Sequence, residues 1–391
     1  MIFHLILILI MNNQDISIGK LSRLKIWITD NHLSDDQWSN TKKFIIIKIT
    51  TEDGIEGWGE AFSINLREKG IAIIIKELFR EISNIPNLSI KSFYNKISLL
   101  SDGHRGLDFS SATSAIEIAL WDISGKLKNL PLNSLLTKSP KPNVPIYATC
   151  WSDLKKDTND YLRQIEKFYG KKYGGIKIYP MLDNVSISIQ FVEKVREIVG
   201  DELPLMLDLA VPKDLDKTKS FLKEVSSFNP YWIEEPVDGE NISLLTEIKN
   251  AFNMKVVTGE KQSGLVHFRE LIHRNAVDIF NPDISGMGGL IDIITISNEA
   301  SNNGISISPH CWNSMSVSAS AMLHVCSSIS NSEKAEIFPD YINFSKKFCE
   351  LPFDIVDNKA HINKSAGLGI VIHEDILSRL SIYSLDEKSN D

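Results

Sequence analysis

Acid and imidazole side chains end a series of short apolar runs in the second half of the chain. They recur at intervals of 23 to 27 residues, which is roughly the length of a strand, a loop, a helix and a return loop. Each therefore ends its own predicted parallel strand. If those strands close into a barrel, the side chains meet at the mouth where such barrels keep their chemistry. The residues are Asp208, Glu234, Glu260, Asp283 and His310.

Asp208, Glu234 and Glu260 are carboxylates on consecutive predicted strands. Three ionised carboxylates at one mouth would repel each other by several kcal/mol. A hard divalent cation removes that repulsion, and an all-oxygen ligand set suits Mg²⁺. The alternative is that each acid pairs with a neighbouring lysine or arginine, which is the ordinary interpretation of any one of them alone. Their regular spacing favours a Mg²⁺ site.

Asp283 and His310 lie on neighbouring predicted strands. An aspartate that accepts the second N–H of an imidazole fixes its tautomer and raises its basicity, so the pair can act as a general acid or base. A lone histidine in an apolar run is more often a core histidine, and this is how we interpret His324 and His273.

Lys177 and Tyr179 alternate on the second predicted barrel strand, GGIKIYP, and so point to the same side. A nearby divalent cation favours loss of the Lys177 proton, which makes a base; the alternative is a charge partner of the ligand carboxylates. Glu336, at the end of the last predicted strand, is either a donor to an enolate oxygen or an ordinary surface carboxylate. A metal, a lysine and a His–Asp pair together favour removal of a proton α to a substrate carboxylate.

The elements that must position these side chains follow two patterns. The first part of the chain predicts strands at RLKIWIT, FIIIKIT and IEGWGEAF, and helices over 68–82, 90–100 and 110–127. From residue 138 onward, strand and helix signals alternate. Eight strands with intervening helices favour a (β/α) barrel over an open sheet.

We therefore predict an α/β protein with an N-terminal α+β domain. The expected divisions are a disordered leader at 1–17, the α+β domain at 18–137, the barrel at 138–340 and a C-terminal segment at 341–391 that returns to the N-terminal domain. The initial apolar run is too short to span a bilayer and lacks the features of a signal peptide. We interpret Met11 or a neighbour as the start, with a weak export signal as the alternative.

The composition narrows the class of protein. The chain has 391 residues, of which 43% are hydrophobic and 24% charged, as is ordinary for a soluble protein of two domains. Its net charge of −8 carries no nucleic-acid footprint. The four cysteines form no CxxC pair, which predicts reduced thiols in a cytoplasmic protein. We expect no nucleic-acid or membrane partner.

Taken together, the motifs resemble the mandelate racemase subgroup of the enolase superfamily, from about Ile18 to Ile372. The matching motifs are SAIEIALWDISGK, IKIY, LMLD, WIEEP, TGE, NPD, SPHCW and AEIF. The resemblance implies a modified TIM barrel, (β/α)7β, whose mouth is closed by an N-terminal capping domain. It also implies Mg²⁺ on the carboxylates, Lys177 on the substrate face opposite the His–Asp pair, and an even-numbered homo-oligomer. His32 and Arg67, in the capping loops, become candidates for substrate binding together with Lys177.

Two positions depart from the pattern of that family. Its racemases and epimerases usually carry Lys-x-Lys on the second strand, whereas Tyr179 occupies the second position here. A phenol with a pKa near 10 is a poor acid or base for racemisation, whereas loss of water needs only one base and one acid. His310 with Lys177 or Tyr179 can supply these. Ala210 replaces a frequent asparagine and removes its hydrogen-bonding group, so the substrate contact of that asparagine is not carried over to this position.

The sequence thus predicts a Mg²⁺-dependent dehydratase that removes the proton α to a carboxylate and expels the β-hydroxyl to give a 2-keto-3-deoxy acid. The expected substrate is a small-molecule carboxylate, an acid sugar. A diacid such as galactarate or glucarate is favoured because His32 and Arg67 would hold a second carboxylate. The alternatives are a racemase, epimerase or cycloisomerase on the same scaffold, and a catalytically silent barrel that serves as a binding protein.

Overall fold

An antiparallel sheet packed against helices forms the N-terminal part of the chain. The computed structural model describes residues 13–30, 43–150, 158–169, 173–180, 183–312 and 316–389. The elements of this part are β1 (Leu21–Asp30), β2 (Lys43–Thr51), β3 (Glu56–Ala61), α1 (Glu68–Ser83), α2 (Ile90–Ser101), α3 (Gly106–Lys128) and α4 (Leu132–Leu136). The strands and long helices predicted for this region are confirmed.

The sheet lies directly against the backbone of α3. Gly57 and Gly59 of β3 face this helix, and a Cβ at these positions would lie 2.1 Å and 1.9 Å from the carbonyl oxygens of Ala119 and Ala115. No real side-chain carbon tolerates such contacts. The two glycines are therefore required for the close approach of helix and sheet.

Parallel strands alternate with helices in the second part of the chain. The strands are β4 (Val144–Cys150), β5 (Ile176–Ile178), β6 (Leu205–Asp208), β7 (Trp232–Glu234), β8 (Val256–Thr258), β9 (Ile279–Phe280), β10 (Ser306–Ile307) and β11 (Ala335–Ile337). The helices are α5 (Thr158–Tyr169), α6 (Val185–Val199), α7 (Leu215–Val225), α8 (Ile242–Ala251), α9 (Val266–His273), α10 (Leu290–Ser301) and α11 (Ser316–Ser328).

These strands close into a barrel. From β4 to β10 each strand pairs in parallel with the next, and β11 pairs in parallel with β4. The remaining gap is bridged where Ile307 of β10 meets Ser332, just before β11. All the strand ends that carry the predicted site residues therefore lie at one mouth, and the predicted barrel is confirmed. Within the described residues, no helix combines the length and the apolar character that a membrane span requires.

The C-terminal segment contacts both parts of the chain. Its elements are α12 (Pro339–Ser345), β12 (Cys349–Glu350), β13 (Phe353–Val356), β14 (Lys359–Ile362), β15 (Val371–Ile372), α13 (Glu374–Leu380) and β16 (Ser381–Lys388). The final strand β16 pairs antiparallel with β1, whereas the β13–β14 hairpin adds to the start of β4 in the barrel. The hairpin thus extends the barrel sheet, and β16 extends the N-terminal sheet.

The predicted leader falls partly outside the described residues, because residues 1–12 are not among them. At its other end, the side-chain amide of Asn13 donates to the Leu135 carbonyl at 2.6 Å, so this end contacts the folded chain. The predicted domain boundaries stay a prediction.

Two buried carboxylates of α3 join the N-terminal part to the rest of the chain. Glu117 accepts the backbone N–H of Ile291 at 3.2 Å, in the first turn of α10. Asp122 accepts the N–H of Trp58 at 3.0 Å with one oxygen and that of Leu368 at 2.8 Å with the other. These contacts give the acidic positions of the SAIEIALWDISGK motif a structural role.

Candidate active site

A cavity of about 240 Å³ opens at the mouth of the barrel. Its walls come from the ends of several barrel strands and the loops that follow them. The residues that line it are Thr149, Lys177, Tyr179, Asp208, Ala210, Glu260, Lys261, His310, Trp312 and Glu336. Most of the side chains for which the sequence predicts chemistry therefore share one space.

The three predicted metal ligands lie together at the floor of this mouth. Asp208 and Glu234 end neighbouring strands in register, and Glu260 follows β8. One carboxylate oxygen from each of the three lies within 4.8 Å of the others. Asp208 is fixed further because its Oδ1 accepts the N–H of Ala210 at 2.9 Å.

The pKa values of these carboxylates show that burying them together without a cation is unfavourable. Burial raises the pKa of Asp208 and raises that of Glu234 well above its usual value, against the lowering effect of Lys177. For Glu260, burial acts in the same direction, but His310, Lys261 and Lys177 outweigh it and lower the pKa. Among the described residues, the buried Oε2 of Glu260 has no hydrogen-bond partner. This oxygen lies 3.3 Å from His310 Nε2 without forming a hydrogen bond. An all-carboxylate set that leaves it available fits a hard divalent cation such as Mg²⁺.

Lys177 lies against the same carboxylates and is only 2% exposed. Its Nζ is 2.6 Å from Glu234, 2.8 Å from Glu336 and 3.6 Å from Asp208. Burial alone would lower the pKa of Lys177, but these carboxylates raise it well above its usual value. The contacts support the charge-partner interpretation of this lysine, and its role as a base stays a prediction.

Glu336 is fully buried, which excludes the surface-carboxylate interpretation. It accepts hydrogen bonds from the Thr149 hydroxyl and from the N–H of Cys311 at 2.7 Å, and it pairs with Lys177. Burial would raise its pKa, but Lys177 and His310 lower it to about 2. Glu336 therefore acts as a hydrogen-bond acceptor in this arrangement, and its role as a donor to an enolate oxygen stays a prediction.

His310 and Asp283 form the predicted pair. The Nδ1–H of His310 donates to Asp283 Oδ2 at 2.8 Å, which leaves Nε2 facing the cavity 3.3 Å from Glu260. Asp283 is held by Ser285, whose N–H and hydroxyl donate to Oδ1 at 2.8 and 2.6 Å. Burial would lower the pKa of His310, but Glu260 and Asp283 raise it to about 9. This geometry orients one imidazole nitrogen into the cavity for proton transfer.

The other predicted site residues differ in where they lie relative to the cavity. Tyr179 lines the cavity, and burial raises the pKa of its phenol. Arg67 is half-exposed and pairs with Asp108 at 3.3 Å, so the structure does not bring it into the cavity. His32 lies outside the described residues.

The two histidines interpreted as core residues also differ. His324 is fully buried and hydrogen-bonded, as predicted. The prediction for His273 is wrong, because this residue ends α9 and is exposed.

Several residues that orient Glu234 or line the cavity were not predicted from the sequence. Asn281 and the Trp232 indole donate to Glu234 at 3.0 and 3.1 Å and so orient this ligand. Lys261 and Trp312 line the cavity. A usable signal existed for these two, because each follows a predicted site residue by one or two positions at a strand end.

Comparison with known proteins places this geometry in a family. Residues 160–376 match the enolase C-terminal domain-like profile, and residues 34–137 match the mandelate racemase / muconate lactonizing enzyme N-terminal domain. The chain belongs to the mandelate racemase and muconate lactonizing enzyme group of the enolase superfamily, as its motifs indicated, and it is an enzyme.

Individual relatives agree with this assignment. An L-talarate/galactarate dehydratase of Salmonella typhimurium is 31% identical over 268 residues, which cover 68% of this chain and 67% of that protein. The crystal structure of an enolase from the Sargasso Sea environmental genome is 96% identical, covers 96% of this chain and 100% of its own, and has a TM-score of 0.94.

A third relative is an L-talarate dehydratase from Polaromonas sp. JS666, solved with Mg and L-glucarate. It is 20% identical over 95% of this chain and 100% of its own, with a TM-score of 0.83. At this identity the likeness establishes the shared fold.

Proposed function

We propose that this enzyme is a Mg²⁺-dependent dehydratase of an acid sugar, with a diacid such as galactarate or glucarate as substrate. One observation carries the proposal: one carboxylate oxygen from each of Asp208, Glu234 and Glu260 lies within 4.8 Å of the others. Asp208 and Glu260 line the same cavity as His310, which Asp283 holds. The dehydratase activity named for the Salmonella relative supports the same reaction class.

The carboxylate cluster provides the binding end of the site. Bound to Asp208, Glu234 and Glu260, Mg²⁺ would act as a Lewis acid and stabilise negative charge that develops on the substrate carboxylate when the α-proton leaves. Lys177 lies at the same end, where Glu234 and Glu336 hold its ammonium. Its buried position excludes water from that side of the cluster.

Proton transfer is the task of the remaining groups. Glu260 and Asp283 raise the pKa of His310 to about 9, and the hydrogen bond to Asp283 would remain when Mg²⁺ offsets the charge of Glu260. We assign to His310 the delivery of a proton to the departing β-hydroxyl. The acceptor of the α-proton is Tyr179 or Lys177. Lys177 can accept it only as the neutral amine, which Mg²⁺ would favour by offsetting the charge of the carboxylates that raise the lysine's pKa. The variants Lys177→Met and Tyr179→Phe separate them, since loss of the acceptor abolishes the exchange of the α-hydrogen with D₂O.

The test is a screen of the purified protein with Mg²⁺ against mono- and diacid sugars, followed with a carbonyl reagent for the keto product and repeated in D₂O. We expect a keto product from at least one diacid and its loss after removal of Mg²⁺ with EDTA. His310→Asn abolishes the product. The exposed His273 provides the matched control, and His273→Asn retains full activity.

Other outcomes identify the alternatives. Incorporation of deuterium without a keto product means that the enzyme is a racemase or epimerase. Absence of both, together with absence of Mg²⁺ binding in calorimetry, would leave a catalytically silent barrel and refute the proposal.

A further inference from the structure

Lys261 is a cation of the cavity that the reaction described above does not use. It directly follows Glu260 and lines the cavity beside Tyr179 and Ala210. Its side chain is 45% exposed, whereas that of Lys177 is 2% exposed. The ammonium of Lys261 is therefore accessible to a ligand that enters from solvent.

The position of this ammonium is fixed by a buried anchor. Its Nζ lies 3.3 Å from Glu235 Oε2, and Glu235 is buried with its other oxygen bound to the Thr258 hydroxyl and the Gly259 N–H. In the part of the chain that the structure describes, this is the hydrogen bond that the ammonium makes. Because a lysine ammonium carries three N–H donors, two of them remain for a ligand.

Lys261 also lies 3.9 Å from Glu260, but the other positive groups along the described walls of the cavity are paired more closely. Lys177 lies within 3.6 Å of three carboxylates. His310 lies between Asp283 and Glu260, at 2.8 and 3.3 Å. A second anionic group of a substrate would therefore find its counter-charge at Lys261.

We propose that Lys261 binds the second carboxylate of a diacid sugar and so selects diacids over monoacids; this inference rests on the proposed function. The flexible four-carbon stem lets the ammonium follow the ligand while Glu235 holds its resting position. This role replaces the one that the sequence assigned to Arg67, whose guanidinium pairs with Asp108 outside the cavity.

Galactarate and galactonate provide a matched pair of probes, because they differ only in the second carboxylate. A hydrogen bond to a charged group is worth enough that its loss costs about 10- to 100-fold in affinity. We expect Lys261→Met to raise the KM for galactarate by about this factor and to leave kcat within about 3-fold. The kinetics with galactonate change by less than about 3-fold, and Lys261→Arg restores most of the discrimination.

The control is Lys219→Met, because Lys219 also pairs with a glutamate, Glu247, but lies on α7 outside the cavity. It leaves both substrates unaffected. An equal loss for galactarate and galactonate in Lys261→Met, or a loss in kcat alone, overturns the proposal.

Direct binding separates this proposal from the proposed function. Calorimetry with Mg²⁺ and galactarate compares the wild type with Lys261→Met without any turnover. If the wild type forms no keto product from any acid sugar, the dehydratase assignment fails. A galactarate affinity that is the same in both proteins refutes the role of Lys261 whatever the reaction.

Discussion

His324 makes the stability of this protein sensitive to acid. It is fully buried in α11, where its Nδ1 accepts the N–H of Asn133 at 3.2 Å and its Nε2 lies 3.4 Å from the Leu368 carbonyl. Because Nδ1 must accept a backbone N–H, the imidazole is the neutral Nε2–H tautomer. His324 on α11 thus contacts both α4 and the C-terminal segment. A proton on Nδ1 would break its hydrogen bond with the N–H of Asn133 in α4.

The size and direction of this change in folding free energy with pH follow from the pKa of His324. Burial lowers the pKa of His324 from 6.5 to about 4, which corresponds to roughly 3 kcal/mol of folding free energy. The unfolded chain takes up this proton below pH 6.5, whereas the folded protein resists it until pH 4. The stabilisation is therefore complete above pH 6.5, declines as the pH falls from 6.5 to 4, and is absent below pH 4.

The assay is urea unfolding of the wild type and of His324→Gln at pH 7.5 and pH 4.5. Glutamine keeps an uncharged donor and acceptor but does not titrate. Because its side chain packs imperfectly in place of the imidazole, the variant is less stable than the wild type at pH 7.5. Between pH 7.5 and pH 4.5 the wild type loses roughly 2 to 3 kcal/mol more than the variant. The exposed His273→Gln variant loses as much as the wild type. Parallel pH profiles for wild type and His324→Gln would refute the argument.

Two further predictions concern buried carboxylates. Burial raises the pKa of Glu117 from 4.5 to about 8, so the wild type loses stability as the pH rises from 4.5 to 8. This loss is on the order of 3 kcal/mol, and Glu117→Gln removes it. Thermal melts of both proteins at pH 5 and pH 8 measure the difference. A melting-temperature difference between wild type and variant that is the same at both pH values would contradict this. Asp283→Asn removes the charge that raises the pKa of His310, so kcat falls about 100-fold or more and the alkaline limb of the pH–rate profile moves to lower pH. An unchanged limb would mean that Asp283 does not set the pKa of His310.

The convergence of the three predicted metal ligands could be predicted because it depends on a repeated unit. Each strand, helix and pair of loops has a similar length, and a closed barrel of parallel strands places the end of every strand on one side. Regular spacing in the sequence therefore becomes proximity at the mouth, which is why Asp208, Glu234 and Glu260 lie within 4.8 Å of one another. The His310–Asp283 pair follows from the same rule, because adjacent strands bring these residues together.

The ionisation states could not be obtained in this way. Glu336 is held as a carboxylate by Lys177, Thr149 and Cys311, which come from three different strand ends. No spacing rule specifies which donors converge on one carboxylate, since this depends on rotamers and on burial. The same limit applies to Arg67, whose partner Asp108 lies 41 residues further along the chain.

The N-terminal domain contacts the surroundings of the His310–Asp283 pair through its backbone. The N–H of Phe62, directly after β3, donates to the Ser285 carbonyl at 3.0 Å. Ser285 in turn donates its N–H and its hydroxyl to Asp283, and Asp283 holds His310. The Phe62 ring lies edge-on to the His310 imidazole, with 6.5 Å between ring centroids. The orientation of the imidazole for which we propose proton transfer therefore depends on how the N-terminal sheet docks, although Arg67 of the same domain does not line the cavity.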